Sequence, residues 1–115
     1  MRYLLMICAD EVAYEALSKE EADANFAGYV AWMEEAGKRN ALLGGERLRP
    51  TTDATTVQVR DDKVLTTDGP FAETKEQIGG FDLLDCKDLD EAIEVASKHP
   101  GAKFGTIEVR PLWEE

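Results

Sequence analysis

The sequence predicts a single α+β domain spanning residues 1–115, with two helices on one face of a mainly antiparallel sheet. Three observations carry this. Short apolar or alternating runs of strand length bracket two segments of helical periodicity, and each helical segment has only one apolar stripe. A chain of 115 residues is also too short for a second core.

The elements follow in order. Leu4 to Cys8 is a continuous apolar run, so both faces of that strand need cover. Ala9-Asp10-Glu11 opens a loop and an irregular stretch to Leu17. Ser18-Lys19-Glu20-Glu21 fits a capping box that starts a long helix. Its predicted stripe is Ala22, Phe26, Tyr29, Val30 and Met33, with Trp32 at the margin and Gly37 as the stop. Ala41 to Leu48 forms a short strand that Gly44-Gly45 interrupts with a bulge or a close backbone approach. Thr55 to Arg60 alternates, turns at Asp61-Asp62 and returns as Lys63 to Thr67, a hairpin.

Asp68-Gly69-Pro70-Phe71 breaks the pattern, and a polar segment leads to a strand over Phe81–Cys86. Asp88-Leu89-Asp90-Glu91 is a second capping box, and Leu89, Ala92, Ile93 and Ala96 give its helix a stripe. His99 and Pro100-Gly101 end it. A final strand from Lys103 to Arg110 places Phe104, Thr106, Glu108 and Arg110 on one face and Gly105, Ile107 and Val109 on the other.

This order is a ferredoxin-like split βαβ plan with an added hairpin. Both helices cover the same face, yet Leu4 to Cys8 wants cover on both. A second copy packed sheet against sheet solves this, predicting an isologous homodimer.

Composition narrows the partners. With Lys+Arg 13 against Asp+Glu 24 the formal charge is −11, opposite to what nucleic acid or an anionic membrane attracts. At 43% hydrophobic residues the chain is nevertheless ordinary for a folded protein. No apolar run is long enough to span a bilayer, and the first ten residues lack a signal peptide's apolar core, so a cytoplasmic location is expected. Cys8 and Cys86 sit in separate apolar runs, as free buried thiols rather than a disulfide or zinc pair. Asp82 and Asp85 flank Leu83-Leu84 with no histidine nearby, so no metal site and no cofactor are expected.

The most unusual stretch is Thr67 to Phe81, TDGPFAETKEQIGGF. With the matching Glu35-Ala36-Gly37 helix end, the Asp88 to Pro100 helix and the closing Glu108-Val109-Arg110-Pro111, the sequence resembles the DGPF subgroup of the YCII-related, or YciI-like, family. The resemblance implies ferredoxin-like protomers in a dimeric α/β barrel, and a family of largely undefined role. Some relatives carry a His-Asp pair proposed to be catalytic, its histidine early on the first long helix. That position falls near Phe26 here and the lone histidine is His99, so the pair does not carry over. Members are often encoded beside extracytoplasmic-function sigma factors, which implies a stress or regulatory setting.

The signature has its own physics. Asp68 accepts from turn amides, Gly69 admits positive φ and Pro70 fixes its own, making a rigid corner. Phe71 projects as an anchor, Glu73, Lys75 and Glu76 supply two acids and an amine, and Gly79-Gly80 lets another group approach closely. The structural alternative is a register-setting corner with Phe71 in the core, solvated charges and a bulge at Gly79-Gly80. Glu108 and Arg110 share a face, as a cavity-facing pair or a solvated one. Arg47 and Arg49 can add positive charge to the same cavity. His99, at a helix end, fits a dipole partner or terminator better than a base.

Two functions from different classes follow. One is a dimeric small-molecule-binding or regulatory module whose cavity is lined by Phe26, Phe71, Phe81 and the trio Glu73, Lys75 and Glu76, with Arg47, Glu108 and Arg110 as further ligand-binding candidates. The other is a lyase- or isomerase-like enzyme with Asp68 or Glu73 as base and Lys75 or Arg110 stabilising negative charge. A third reading is a protein-interaction partner in a sigma-factor-linked pathway.

Overall fold

Strand β1 (Arg2–Ala9) occupies the middle of a four-stranded sheet. A computed structural model describes residues 1–114. Around β1 the order is β2 (Leu42–Arg47), β5 (Gln77–Asp85), β1, β6 (Thr106–Pro111), and every neighbouring pair is antiparallel. β1 and β2 are therefore parallel with β5 between them, and β5 and β6 are parallel with β1 between them. This is the split βαβ arrangement the sequence predicts. The strands β3 (Thr55–Arg60) and β4 (Lys63–Asp68) form a separate hairpin.

Helix α2 (Lys19–Lys38) begins where the capping box places it: the Glu21 amide donates to Ser18 Oγ at 3.1 Å, and the Ser18 amide to Glu21 Oε1 at 3.0 Å. These contacts also hold the Glu21 carboxyl below its ordinary range. The stop differs from expectation. Gly37 stays helical, and Asn40 takes the left-handed position at φ 57°, which asparagine tolerates better than most side chains.

The stripe of α2 is rotated from the expected one. Phe26 is 65% exposed, while Trp32 and Ala36 are the buried residues, all in the C-terminal half. Trp32 wins the central position because its indole N–H donates to the Val95 carbonyl at 2.8 Å while its ring packs on His99. In α3 (Leu89–Ser97) the buried residues are likewise Ala92, Val95 and Ala96, with Leu89 and Ile93 half exposed. Its capping box is only half made. Asp88 accepts from the Glu91 amide at 2.9 Å, but Glu91 turns to the Lys87 amide and to Arg39.

The core lies between these helices and one sheet face, centred on the fully buried Leu5 and Leu84 with Tyr3, Trp32, Ala92 and Val95 around them. Ile107 and Val109 of β6 turn toward the same core, as the alternation predicts. Cys86 is buried and Cys8 half-buried, and both are free thiols.

Three local corrections have local causes. Residues after β1 form α1 (Glu11–Glu15), which Asp10 caps by accepting from the Val12 and Ala13 amides; it buries no residue, so no periodicity announced it. β5 starts four residues earlier than expected, because a bulge opposite Ile7 and Cys8 absorbs the slack at Gly79. β6 starts later, at Thr106, because Pro100 leads into the short turn α4 (Gly101–Phe104). Among the described residues no helix is long and apolar enough to cross a membrane.

The capping box should be worth about 1 kcal/mol. Ser18→Ala is expected to lower unfolding stability by that order in urea titration, with an unchanged slope. An unaltered midpoint would contradict the assigned cap.

Candidate functional site

The loop after β4 is a corner built on Gly69 rather than on the expected Asp68 carboxyl, which accepts no turn amide among the described residues. Gly69 adopts φ 102°, a conformation that side chains rarely accept, and its amide donates to the Ala54 carbonyl at 2.8 Å. Thr56 Oγ1 donates back to the Gly69 carbonyl at 2.8 Å. The chain then curls through Glu73, Thr74 and Lys75, pinned from inside by Gln77, whose Nε2 donates to the Ala72 carbonyl at 2.8 Å and the Thr74 carbonyl at 3.2 Å.

A cleft of about 390 Å³ opens beside this loop, between Gly69, Pro70, Glu73, Thr74, Lys75 and Gln77 on one wall and Asp10, Glu11, Val12, Thr51 and Thr52 on the other. The far wall is itself fixed: Glu11 accepts from the Thr51 amide at 2.9 Å and from Thr51 Oγ1 at 2.6 Å, joining α1 to the short 3₁₀ turn Thr51–Asp53. Asp10 and Glu11 are thus occupied by capping and bracing. Glu73 and Lys75 have no ion-pair partner among the described residues, which leaves an acid and an amine for whatever enters. A group placed between them meets a base and a cation on one rim, and threonine hydroxyls on the other.

The remaining sequence candidates are dispersed. Asp68 lies exposed at the end of β4, paired with Thr55 across the hairpin, and does not line the cleft. Phe71 projects outward at 85% exposure, contrary to a place in the core. Phe26 is on the solvent side of α2, whereas Phe81 alternates with the buried Asp82 and lies on the sheet face opposite the helices, so the two do not share a cavity. Glu108 and Arg110 pair with each other on that same open face, directly across from Met6 and Leu4, with side chains 48% and 67% exposed. Arg47 lies over the Tyr14 ring at 5.7 Å, Arg49 pairs with Asp53 at 3.1 Å, and Glu76 is half-buried beside the loop. Sequence inspection missed Thr51, Thr52 and Gln77. The only signal for that wall was Asp10 as a helix cap ahead of Glu11.

A second constellation contradicts the expectation that Asp82 has no histidine near it. The fold brings His99 Nε2 to 3.9 Å from Asp82 Oδ2, both side chains buried. The Gly101 amide donates to His99 Nδ1 at 2.8 Å, so the neutral ring carries its proton on Nε2, facing the carboxyl. Trp32 and Tyr29 close over the imidazole edge-on at 4.7 and 5.4 Å. Gly45 makes room for the carboxyl: a Cβ there would stand 2.1 Å from Asp82 Oδ1. Burial pushes the Asp82 carboxyl up to about 6 and the His99 imidazole down to about 4. His99 is therefore a buried partner of the sheet rather than a helix-end dipole group. Among the described residues no three His, Cys, Asp or Glu side chains gather to hold a metal ion.

Comparison with known proteins gives three findings. The family model for the YCII-related domain matches residues 1–115. An uncharacterised protein of Rhizobium meliloti (strain 1021), R00369, is 41% identical over 117 residues, covering 97% of this chain and 92% of that protein. Among solved structures, 5-chloro-2-hydroxyhydroquinone dehydrochlorinase (TftG) from Burkholderia phenoliruptrix AC1100, in complex with 2,5-dihydroxybenzoquinone, aligns with a TM-score of 0.57 over 100% of this chain and 96% of its own. At 15% identity that likeness shows the fold alone.

The Asp82–His99 pair makes a prediction with a definite sign. Between its ordinary 3.8 and about 6, folded Asp82 keeps a proton the unfolded chain has lost, so its contribution to stability declines as pH rises. Between about 4 and its ordinary 6.5, folded His99 stays neutral while the unfolded chain takes a proton, so its contribution declines as pH falls. From about pH 4 to 6 the two cancel, since each state holds one proton on the pair. Measured against the parent by chemical denaturation, Asp82→Asn should lose about 3 kcal/mol on acidification and His99→Asn about as much on raising the pH. Slopes of the same sign in the two variants would contradict the burial that shifts both groups.

Proposed function

The chain belongs to the YCII-related family, and we propose that it acts as a small-molecule-binding or regulatory module whose ligand occupies the cleft at the Asp68-Gly69-Pro70-Phe71 corner. One observation carries this reading: a rigid loop holds an unpaired Glu73 and Lys75 at the edge of a cleft whose opposite wall is braced by hydrogen bonds. The volume suits a small polar molecule. Its ligand would present both hydrogen-bonding capacity for the threonines and a polar or zwitterionic group for the acid and amine.

The working unit proposed is a homodimer in which two sheets meet as an α/β barrel. Support comes from the open sheet face, where Leu4 stands opposite Leu83 and Met6 opposite Phe81 with no layer of this chain above them. A cytoplasmic location is part of the same proposal.

A second reading is an enzyme of lyase or isomerase type, with Glu73 as base and Lys75 stabilising developing negative charge. It is favoured by the presence of both groups on one cleft edge, and by a similarly folded dehydrochlorinase that was solved with a quinone-type compound.

A thermal-shift and calorimetric screen of small polar metabolites tests the first reading. At least one compound should bind, and Lys75→Met and Glu73→Gln should each weaken it about tenfold or more without altering stability. Absence of any binder, or binders indifferent to both substitutions, would sink it. Turnover abolished by Glu73→Gln would select the enzyme instead.

A further inference from the structure

Beyond its base, the β3–β4 hairpin has no cover. Every residue from Val57 to Asp68 is exposed. The register places Val59 opposite Val64 and Val57 opposite Thr66, so three valines share one face, exposed at 61% for Val57, 56% for Val59 and 68% for Val64. A lone two-stranded hairpin is marginal in water. This one is tied only at its base, through Ala54, Thr56 and Gly69. Its turn offers only partial help, because Asp62 takes φ 62° at the second position, where glycine is favoured.

The shape records the projection. The radius of gyration is 16.0 Å against about 13 Å for a compact chain of this length, and the extents are 48 × 45 × 18 Å. A second uncovered apolar surface, the open sheet face, lies on the same protomer. In a chain of charge −11, these surfaces are close to neutral. The hairpin holds Arg60 and Lys63 against Asp61, Asp62 and Asp68, and the sheet face sets Arg2 and Arg110 against Glu46, Asp85 and Glu108, so each falls one charge short of balance. The acidity that would push two copies apart lies elsewhere.

From these observations we propose that the β3–β4 hairpin is an arm that packs its valine face onto a second copy of this chain. This rests on the homodimer proposed above and extends it. Three valines bury too little for an independent partner, whose stable contact needs about 800 Å² per side. They suit instead an extension of a larger contact made by the sheet face. The arm also leads directly into the cleft: β4 ends at Asp68, and Gly69 and Pro70 line the wall. Seating the arm on the partner therefore fixes one wall of the ligand site, and couples dimerisation to ligand affinity.

Hydrogen exchange of the full-length protein, measured across a dilution series with sedimentation on the same samples, tests this. Amides of Val57, Val59 and Val64 should exchange about tenfold or more slowly in the dimer than in the diluted monomer. Val59→Thr with Val64→Thr, which keeps strand propensity, should weaken dimerisation about tenfold and remove that difference. Leu4→Glu, on the sheet face, should abolish the dimer and leave the hairpin amides fast at all concentrations. A dimer whose hairpin amides exchange as fast as the monomer's would overturn the arm and leave the dimer standing. A monomer at every concentration would overturn both.

Discussion

Everything in this chain turns on one imbalance: its central strand is apolar on both faces, and the chain supplies a layer for only one. Tyr3 and Leu5 of β1 disappear beneath α2 and α3, while Leu4 and Met6, one residue out of phase, stay half-exposed beside Leu83 and Phe81. Burying a leucine-sized side chain is worth about 2 kcal/mol, so four such residues along two paired strands represent a substantial drive toward a partner surface. The proposed pairing of sheets answers that drive. With it, the exposed hairpin and the neutral character of both uncovered surfaces acquire a common cause.

On the covered face the packing is resolved by polar detail rather than by bulk. Trp32 is anchored through its indole N–H, its ring closes over His99, and His99 in turn faces Asp82, which leans into the space that Gly45 leaves empty. Burial disfavours the charged form of each group, raising the carboxyl and lowering the imidazole, so the core holds the two with less charge than water would. This pair specifies the depth at which α3, the turn after it and β5 meet. The cleft is built differently, from loops whose side chains remain wet. That division places rigidity in the core and the proposed recognition at the corner.

Much of this was legible in the residues. The strand runs, both helix starts, the hairpin turn at Asp61-Asp62 and the bulge at Gly44 follow from spacing and turn chemistry, because each is decided locally. The stripes were less so. Phe26, Leu89 and Ile93 have the right period but face water, and Trp32 and Val95 displace them. Which apolar side of a helix is buried depends on what its neighbours offer it, here a carbonyl of α3 for an indole. The Asp82–His99 contact was hidden for a similar reason, joining residues seventeen positions apart through β-sheet and helix packing rather than through any motif. At the site, the corner and its Glu73 and Lys75 stood out in the sequence. Thr51 and Thr52 did not, since only the bond from Thr51 to Glu11 carries them to the cleft.

Small-angle X-ray scattering at micromolar concentration addresses the central claim most directly, that the open sheet face is covered by a second copy. A scattering mass of twice 12.8 kDa, with a thickness well above the protomer's 18 Å, is the predicted result. A mass of 12.8 kDa with a radius of gyration close to 16 Å would contradict it.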